Sequence, residues 1–265
     1  MPARPGTAES NNRLLEAAQI ELSFGGIKSL DKVSFHVRQG EILSIIGPNG
    51  AGKTCLLNCI SGYYRPQKGK IHFKNSNLLN LKAYQIARLG ISRTFQSPAL
   101  YPQLTALDNL LVARHIHTRS NMLDSILFFG KSRKEEMASR QAVEEIINLT
   151  HIEELRKRPV MMMSYGQRKQ VEIARALVMQ PELLLLDEPM SGLDDMMKEI
   201  IAELILNVQE SGMTVILIEH DIEVVMGLSQ SVVVLDFGQK IAEGPPQQVL
   251  RDERVIDAYL GNGHQ

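Results

Sequence analysis

An α/β fold, with an antiparallel β region at its start and a helical insert in its middle, is what the sequence predicts. Three observations carry this. Ile20, Leu22 and Phe24, then Val33, Phe35 and Val37, alternate with polar residues at the period of a strand. Residues Thr105 to His115 and Lys134 to Leu149 carry helix-spaced apolar positions with few turn signals. The last third alternates short apolar runs with a helix pattern, which indicates βαβ units around a parallel sheet.

The elements follow in order. Residues 1–13 are rich in Pro, Gly, Ser and Asn and read as a disordered tail. The two alternating segments, with the Gln39-Gly40 turn that leads into Glu41–Ile46, suggest an antiparallel β region at the start. A helical insert of roughly 70 residues, about 97–165, separates the two β-containing parts. Beyond it lie the run Leu183–Leu186, the helix pattern Asp195–Gln209, and two further runs, Thr214–Ile218 and Ser231–Leu235. No internal repeat is visible, so the chain is one module.

Composition narrows the function. The 29 basic and 30 acidic residues leave a net charge of −1, which argues against general electrostatic binding to nucleic acid or anionic lipid. Two cysteines exclude a disulfide scaffold and suit a reducing compartment. No stretch approaches the roughly 18 apolar residues of a membrane span. The Met1–Gly6 start has no apolar core behind its charge and does not read as a signal peptide.

Gly47-Pro48-Asn49-Gly50-Ala51-Gly52-Lys53-Thr54 fits the pattern G-x-x-x-x-G-K-[ST]. Small residues let backbone N–H groups turn inward around phosphates, and the following helix start adds positive potential. Lys53 is then expected on the β- and γ-phosphates and Thr54 on Mg²⁺. A strand-like run before and a helix-compatible run after favour this over an ordinary Gly-rich turn. Asp187 and Glu188 end the buried run Leu183–Leu186, where ligands bind in open parallel sheets. Asp187 is expected to hold Mg²⁺ through water, and Glu188 to orient or polarise the attacking water. Alone, the pair would read as solvated acids. Ser164-Tyr165-Gly166-Gln167 precedes a helix pattern from Arg168 to Val178, an N-terminus suited to an anion or simply a helix cap.

Taken together, the chain resembles the ATP-binding cassette family over about residues 14–260. The features match in order: the phosphate loop, Gln96 within Thr94-Phe95-Gln96, the signature Ser164–Gln167, the Asp187-Glu188 pair, Ser191-Gly192-Leu193-Asp194, and His220. The resemblance implies a P-loop NTPase core with an antiparallel β subdomain and an inserted α-helical subdomain, spanning 14–262. It implies that Phe24 stacks on adenine, although a core Phe is the plainer alternative. Gln96 would contact Mg²⁺ and the water and sense a membrane partner. Ser164 and Gly166, with Gln167, would serve the γ-phosphate of ATP bound to the opposite subunit. Asp194 would lie across the dimer interface, and His220 would contact the γ-phosphate.

The family signature usually reads L-S-G-G-Q, whereas here Met163 precedes Ser164 and Tyr165 takes the first glycine's place. That departure resembles the branched-chain amino acid importer subgroup. So do Arg93-Thr94-Phe95-Gln96, Val171-Glu172-Ile173-Ala174-Arg175, Glu219-His220-Asp221 and the ending Ala258-Tyr259-Leu260-Gly261. Other residues carry less. His115 and His117 are two apart and do not share a helix face. Cys55 and Cys59 read as core fillers, Met161–Met163 as adaptable packing, and Arg156–Arg158 as a solvated face.

The sequence thus reads as the ATPase subunit of an importer, using ATP and Mg²⁺. It would work as a nucleotide-sandwich dimer, homo- or heteromeric, at the cytoplasmic face of the inner or plasma membrane. Separate permease subunits would supply the path, a solute-binding protein would deliver the solute, and no nucleic acid would be involved. Alternatives are a soluble cassette ATPase acting on ribosomes or DNA, a nucleotide-dependent regulatory module, or a P-loop small-molecule kinase. The first usually carries two cassettes or a coiled-coil insertion. Glu188 argues against the second, and the signature and His220 against the third.

Overall fold

The computed structural model describes residues 12–114 and 131–260. In chain order the first elements are β1 (Arg13–Phe24), β2 (Ile27–Arg38), β3 (Ile42–Ile46), α1 (Lys53–Ile60), β4 (Lys68–Phe73), β5 (Ser76–Asn77), α2 (Ala83–Arg88) and β6 (Ile91–Arg93). Next come α3 (Ala106–Arg114), α4 (Lys131–Leu149) and α5 (Tyr165–Leu177). The last are β7 (Leu183–Asp187), α6 (Asp195–Glu210), β8 (Thr214–Ile218), α7 (Ile222–Leu228), β9 (Ser231–Asp236), β10 (Gln239–Gly244), α8 (Pro246–Val249) and α9 (Glu253–Leu260).

The alternating N-terminal segments form an antiparallel hairpin, in which Phe24 faces Ile27 and Ala17 faces Phe35. With β4 and β5 they build a four-stranded sheet in the order β2-β1-β4-β5. The second sheet runs β10-β9-β3-β8-β7-β6. Strands β9, β3, β8, β7 and β6 run parallel, so β3 belongs to this sheet and not to the antiparallel region expected at the start. Parallel strands joined by helices are covered on both faces, hence their nearly continuous apolar sequences.

Strand alternation then divides the core. Leu43, Ile45, Leu183, Leu185, Ile216 and Ile218 point to one face, where they pack with Leu56, Leu57 and Ile60 of α1 and with the antiparallel sheet. Ile42, Leu184, Leu186, Val215 and Leu217 point to the other and meet Ile201, Leu204 and Ile205 of α6. A third cluster joins Ala106 and Leu110 of α3, Val143 and Ile147 of α4, and Val171, Ala174 and Val178. Helix α5 thus belongs to two cores at once: its Ile173, Ala176 and Leu177 pack on the sheet, and its Val171 and Ala174 on the helical layer. Each fully buried Leu or Ile contributes about 1.5–3 kcal/mol, so α5 is bound firmly on both sides.

Several features depart from the expectations. The C-terminal sheet is mixed, because β10 pairs antiparallel with β9. Only Ala242 of β10 is buried, so no apolar run marks it. Helix α5 opens at Tyr165 rather than Arg168, since Ser164 caps it directly. Strand β1 opens at Arg13, paired with Arg38, one residue inside the expected tail. Residues 1–11 of that tail, together with His115, His117 and Gly261, lie outside the described residues.

Candidate functional site

Strand β3 delivers the chain into the loop 47–52, and α1 leaves it at Lys53. Two glycines are compelled there. A Cβ on Gly47 (φ 145°) would lie 2.0 Å from the Leu235 carbonyl oxygen, and one on Gly52 (φ 99°) 2.5 Å from that of Ser29. Both positive φ values are also costly for residues with side chains. The loop is therefore wedged between β9 and β2. Lys53 Nζ donates to the carbonyl oxygens of Gly47 (2.6 Å) and Pro48 (2.9 Å), so its charge sits within the loop's own curve. Burial pushes its ammonium below its ordinary pKa, and the nearby charges of Glu188 and Asp187 oppose that shift.

Strand β7 brings the carboxylates alongside. Thr54 Oγ1 lies 3.5 Å from Asp187 Oδ1. Asp187 is 2% exposed, and its other oxygen accepts from Arg93 Nη2 at 2.9 Å. The other arm of that guanidinium donates to Asn58 Oδ1 of α1 and to Ser61 Oγ, the residue that ends the helix. Glu188 follows with φ 49°, a left-handed conformation that residues with a side chain seldom adopt. Its amide donates to Ile218 O, and its Oε2 accepts from Gln96 Nε2 at 3.1 Å. Five predicted residues, Lys53, Thr54, Gln96, Asp187 and Glu188, thus converge at the carboxyl ends of β3 and β7.

His220 stands past β8 with its side chain 59% exposed, and its Nδ1 lies 3.8 Å from Glu219. Glu219 is buried and accepts from the Met190 amide at 3.0 Å, tying the β7 and β8 exits together. Burial pushes its carboxyl upward against the pull of the Met190 and His220 amides. Phe24 is no core residue. It is 46% exposed at the tip of the β1–β2 hairpin, edge-on to Tyr64 at 5.1 Å between ring centres. The same hairpin touches the phosphate loop through Ser29 and Leu30 against Gly52.

The signature residues stand apart. Ser164 Oγ accepts from the Gln167 amide, and Gln167 Oε1 accepts from the Ser164 amide, a reciprocal cap of α5. A Cβ on Gly166 would lie 2.8 Å from Met197 Cγ of α6, so α5 starts against the helix that Asp194 caps. Among the described residues no hydrogen bond or ion pair joins Ser164, Gly166 or Gln167 to 47–54. One chain brings the phosphate loop and the carboxylates together but leaves the signature elsewhere.

For a divalent cation, the donor set is a hydroxyl and a carboxylate, both oxygen. No cluster of three or more His, Cys, Asp or Glu is assembled to hold a metal among the described residues. That fits Mg²⁺, which takes one or two protein oxygens and completes its shell with phosphate and water.

Sequence reasoning missed Arg93 as a site residue and a cleft of about 420 Å³ beside it, lined by Tyr63, Tyr84, Phe95, Tyr101 and Arg175 among others. Tyr63, Tyr84 and Tyr101 are more than half exposed. They come from three separate loops and helices, so no local spacing marks them.

The family described as ABC transporter matches residues 30–191, and the one described as branched-chain amino acid ATP-binding cassette transporter matches residues 239–265. The chain is 39% identical over 255 residues to the high-affinity branched-chain amino acid transport ATP-binding protein BraF of Pseudomonas aeruginosa, covering 94% of this chain and 98% of that one. A solved nucleotide-free ATP-binding cassette from an ABC transporter superposes with a TM-score of 0.81 at 33% identity, over 93% of this chain and 98% of that one. A dimeric post-hydrolysis cassette bound to ADP and Pi superposes with a TM-score of 0.74 at 27% identity, over 88% and 98%.

Proposed function

The chain belongs to the ABC transporter family as an ATPase, and from that premise we propose that it powers uptake of branched-chain or other hydrophobic amino acids through separate permease subunits. The observation that carries the reading is the convergence of Lys53, Thr54, Gln96, Asp187 and Glu188 at one edge of the parallel sheet.

On this reading ATP seats its phosphates on the amides of 47–52, and its adenine on Phe24. Lys53 exchanges the Gly47 and Pro48 carbonyls for phosphate oxygens. Thr54 and Asp187, with Gln96, would hold Mg²⁺, which neutralises charge on the β- and γ-phosphates when bound. Glu188 accepts a proton from water as that water attacks the γ-phosphorus, and ADP and phosphate leave. Gln96, bonded to Glu188, orients the same water. His220 contacts the γ-phosphate; its exposure leaves it free to do so.

The isolation of Ser164, Gly166 and Gln167 supports a second ATPase subunit. A dimer would place their helix start on the nucleotide held by the other chain, where N–H groups and helix dipole favour phosphate. The dimeric relative supports such an assembly. No helix among the described residues is long and apolar enough to cross a membrane, so permease subunits would form the path, with a solute-binding protein upstream. The tyrosine-lined cleft beside Phe95 suits an apolar permease segment, and Gln96 is the next residue along. The chain would then sit peripherally on the cytoplasmic face.

Uptake of labelled leucine, isoleucine and valine tests this in cells lacking the chain. Restoration by the parent chain and not by Lys53→Ala is expected. Undiminished uptake of all three in the deleted cells would refute the solute assignment.

A further inference from the structure

We propose that Lys169 and Glu172 are positioning residues for hydrolysis, fixing segment 95–99 and the Glu188 backbone to the helix that opens at Ser164. The proposal rests on the reading of Gln96 and Glu188 as the pair that handles water.

Helix α5 turns Tyr165, Lys169, Glu172 and Arg175, at helical spacing, toward one loop. Lys169 Nζ donates to Gln96 O at 2.6 Å, with Glu188 O at 3.4 Å and Phe95 O at 3.5 Å. Its three protons match three carbonyls. Glu172 Oε1 accepts the amides of Phe95 (3.1 Å) and Ala99 (3.3 Å). The Arg175 guanidinium donates to Ala99 O, and the Tyr165 hydroxyl lies 3.5 Å from Gln96 O.

Lys169 and Glu172 are each 1% exposed. Burying two ionisable groups costs several kcal/mol apiece, and apolar side chains would pack α5 as well. What they supply instead is order in a loop that has no strand partner. Segment 95–99 cannot slide along α5 without leaving the buried Lys169 and Glu172 side chains unpartnered. The Gln96 and Glu188 carbonyls are anchored by the same ammonium, and the Gln96 side chain in turn reaches Glu188 Oε2. The helix that opens at Ser164 and the Gln96–Glu188 pair are thereby joined by one set of hydrogen bonds. Glu172 Oε2 has no hydrogen-bond partner, so the loop is held through Oε1.

Hydrogen exchange and ATPase kinetics on the full chain test this. In the parent, the Phe95 and Ala99 amides are expected to exchange at least about 10-fold slower than in an unstructured chain. Glu172→Ala should release both and lower kcat by about 10-fold or more, the scale of a misplaced catalytic group. KM for ATP should stay within about twofold, because the phosphate loop is untouched. Glu172→Gln keeps an acceptor at Oε1 and should recover both protection and most of kcat. Lys169→Met should lower kcat with the same KM, which covers the case where Glu172→Ala does not fold. Free exchange at Phe95 and Ala99 in the parent, parental kcat in folded Glu172→Ala, or Glu172→Gln as impaired as Glu172→Ala would overturn the proposal. Glu188→Gln is the control: parental hydrolysis by that variant refutes the underlying site reading, whatever Glu172 does.

Discussion

Arg93 Nη2 lies 2.9 Å from Asp187 Oδ2, with both side chains almost wholly buried. The strand-end carboxylate beside the phosphate loop is thus divided. One oxygen faces Thr54, and the other is held by a guanidinium whose second arm reaches Asn58 and Ser61. Strands β6 and β7 and helix α1 meet at this one cation.

Removing Arg93 leaves a buried carboxylate uncompensated. Arg93→Met is expected to destabilise the fold by about 3–5 kcal/mol, read as a lowered urea midpoint. Arg93→Lys keeps the charge but loses the fork that serves two elements at once, so it should recover only part of that loss.

Phe24 is an exposed aromatic, so its loss should affect ligand more than fold. Phe24→Ala is expected to weaken ATP binding by about 1–3 kcal/mol, the scale of base stacking on an aromatic ring, with little change in melting temperature. Calorimetry with ATP and with bare triphosphate separates the two: a purely structural Phe24 predicts equal affinities in the parent.

The cysteines are expected to be inert. Burial pushes the Cys59 thiol up to about 12, and the Cys55 thiol also upward. The thiolate is the reactive form, so iodoacetamide at pH 8 should label Cys59 only on unfolding and Cys55 slowly. Rapid labelling of Cys59 in the folded chain would contradict its place in the core.

Much of this was legible in the sequence because the signals were local. The phosphate loop is a contiguous pattern with a strand before it and a helix after it. Asp187 and Glu188 close an apolar run whose burial is complete. Ser164 and Gln167 announce their cap by a three-residue spacing. What escaped was assembled from afar. Arg93 lies in a strand of three residues, too short to show a period. Lys169 and Glu172 find their carbonyl and amide partners far away in the chain, so no local spacing marks them. Strand β10 carries a single buried residue and so hid an antiparallel edge.

Mixing two defective chains tests the proposal that Ser164 serves the partner's nucleotide. Lys53→Ala chains and Ser164→Arg chains should each fail to hydrolyse ATP as homodimers. A mixed dimer has one site with both groups intact, so activity should reappear on mixing. A site complete within one chain predicts no recovery, since every chain then carries a defect.

Hydrolysis by Glu188→Gln bears most directly on the central claim that this carboxylate drives the reaction. The variant keeps the Lys53 loop and should bind ATP as the parent does by calorimetry, while its turnover falls by about 10²-fold or more, the range for losing a positioned base. ATP binding with turnover at the parental rate would contradict the account.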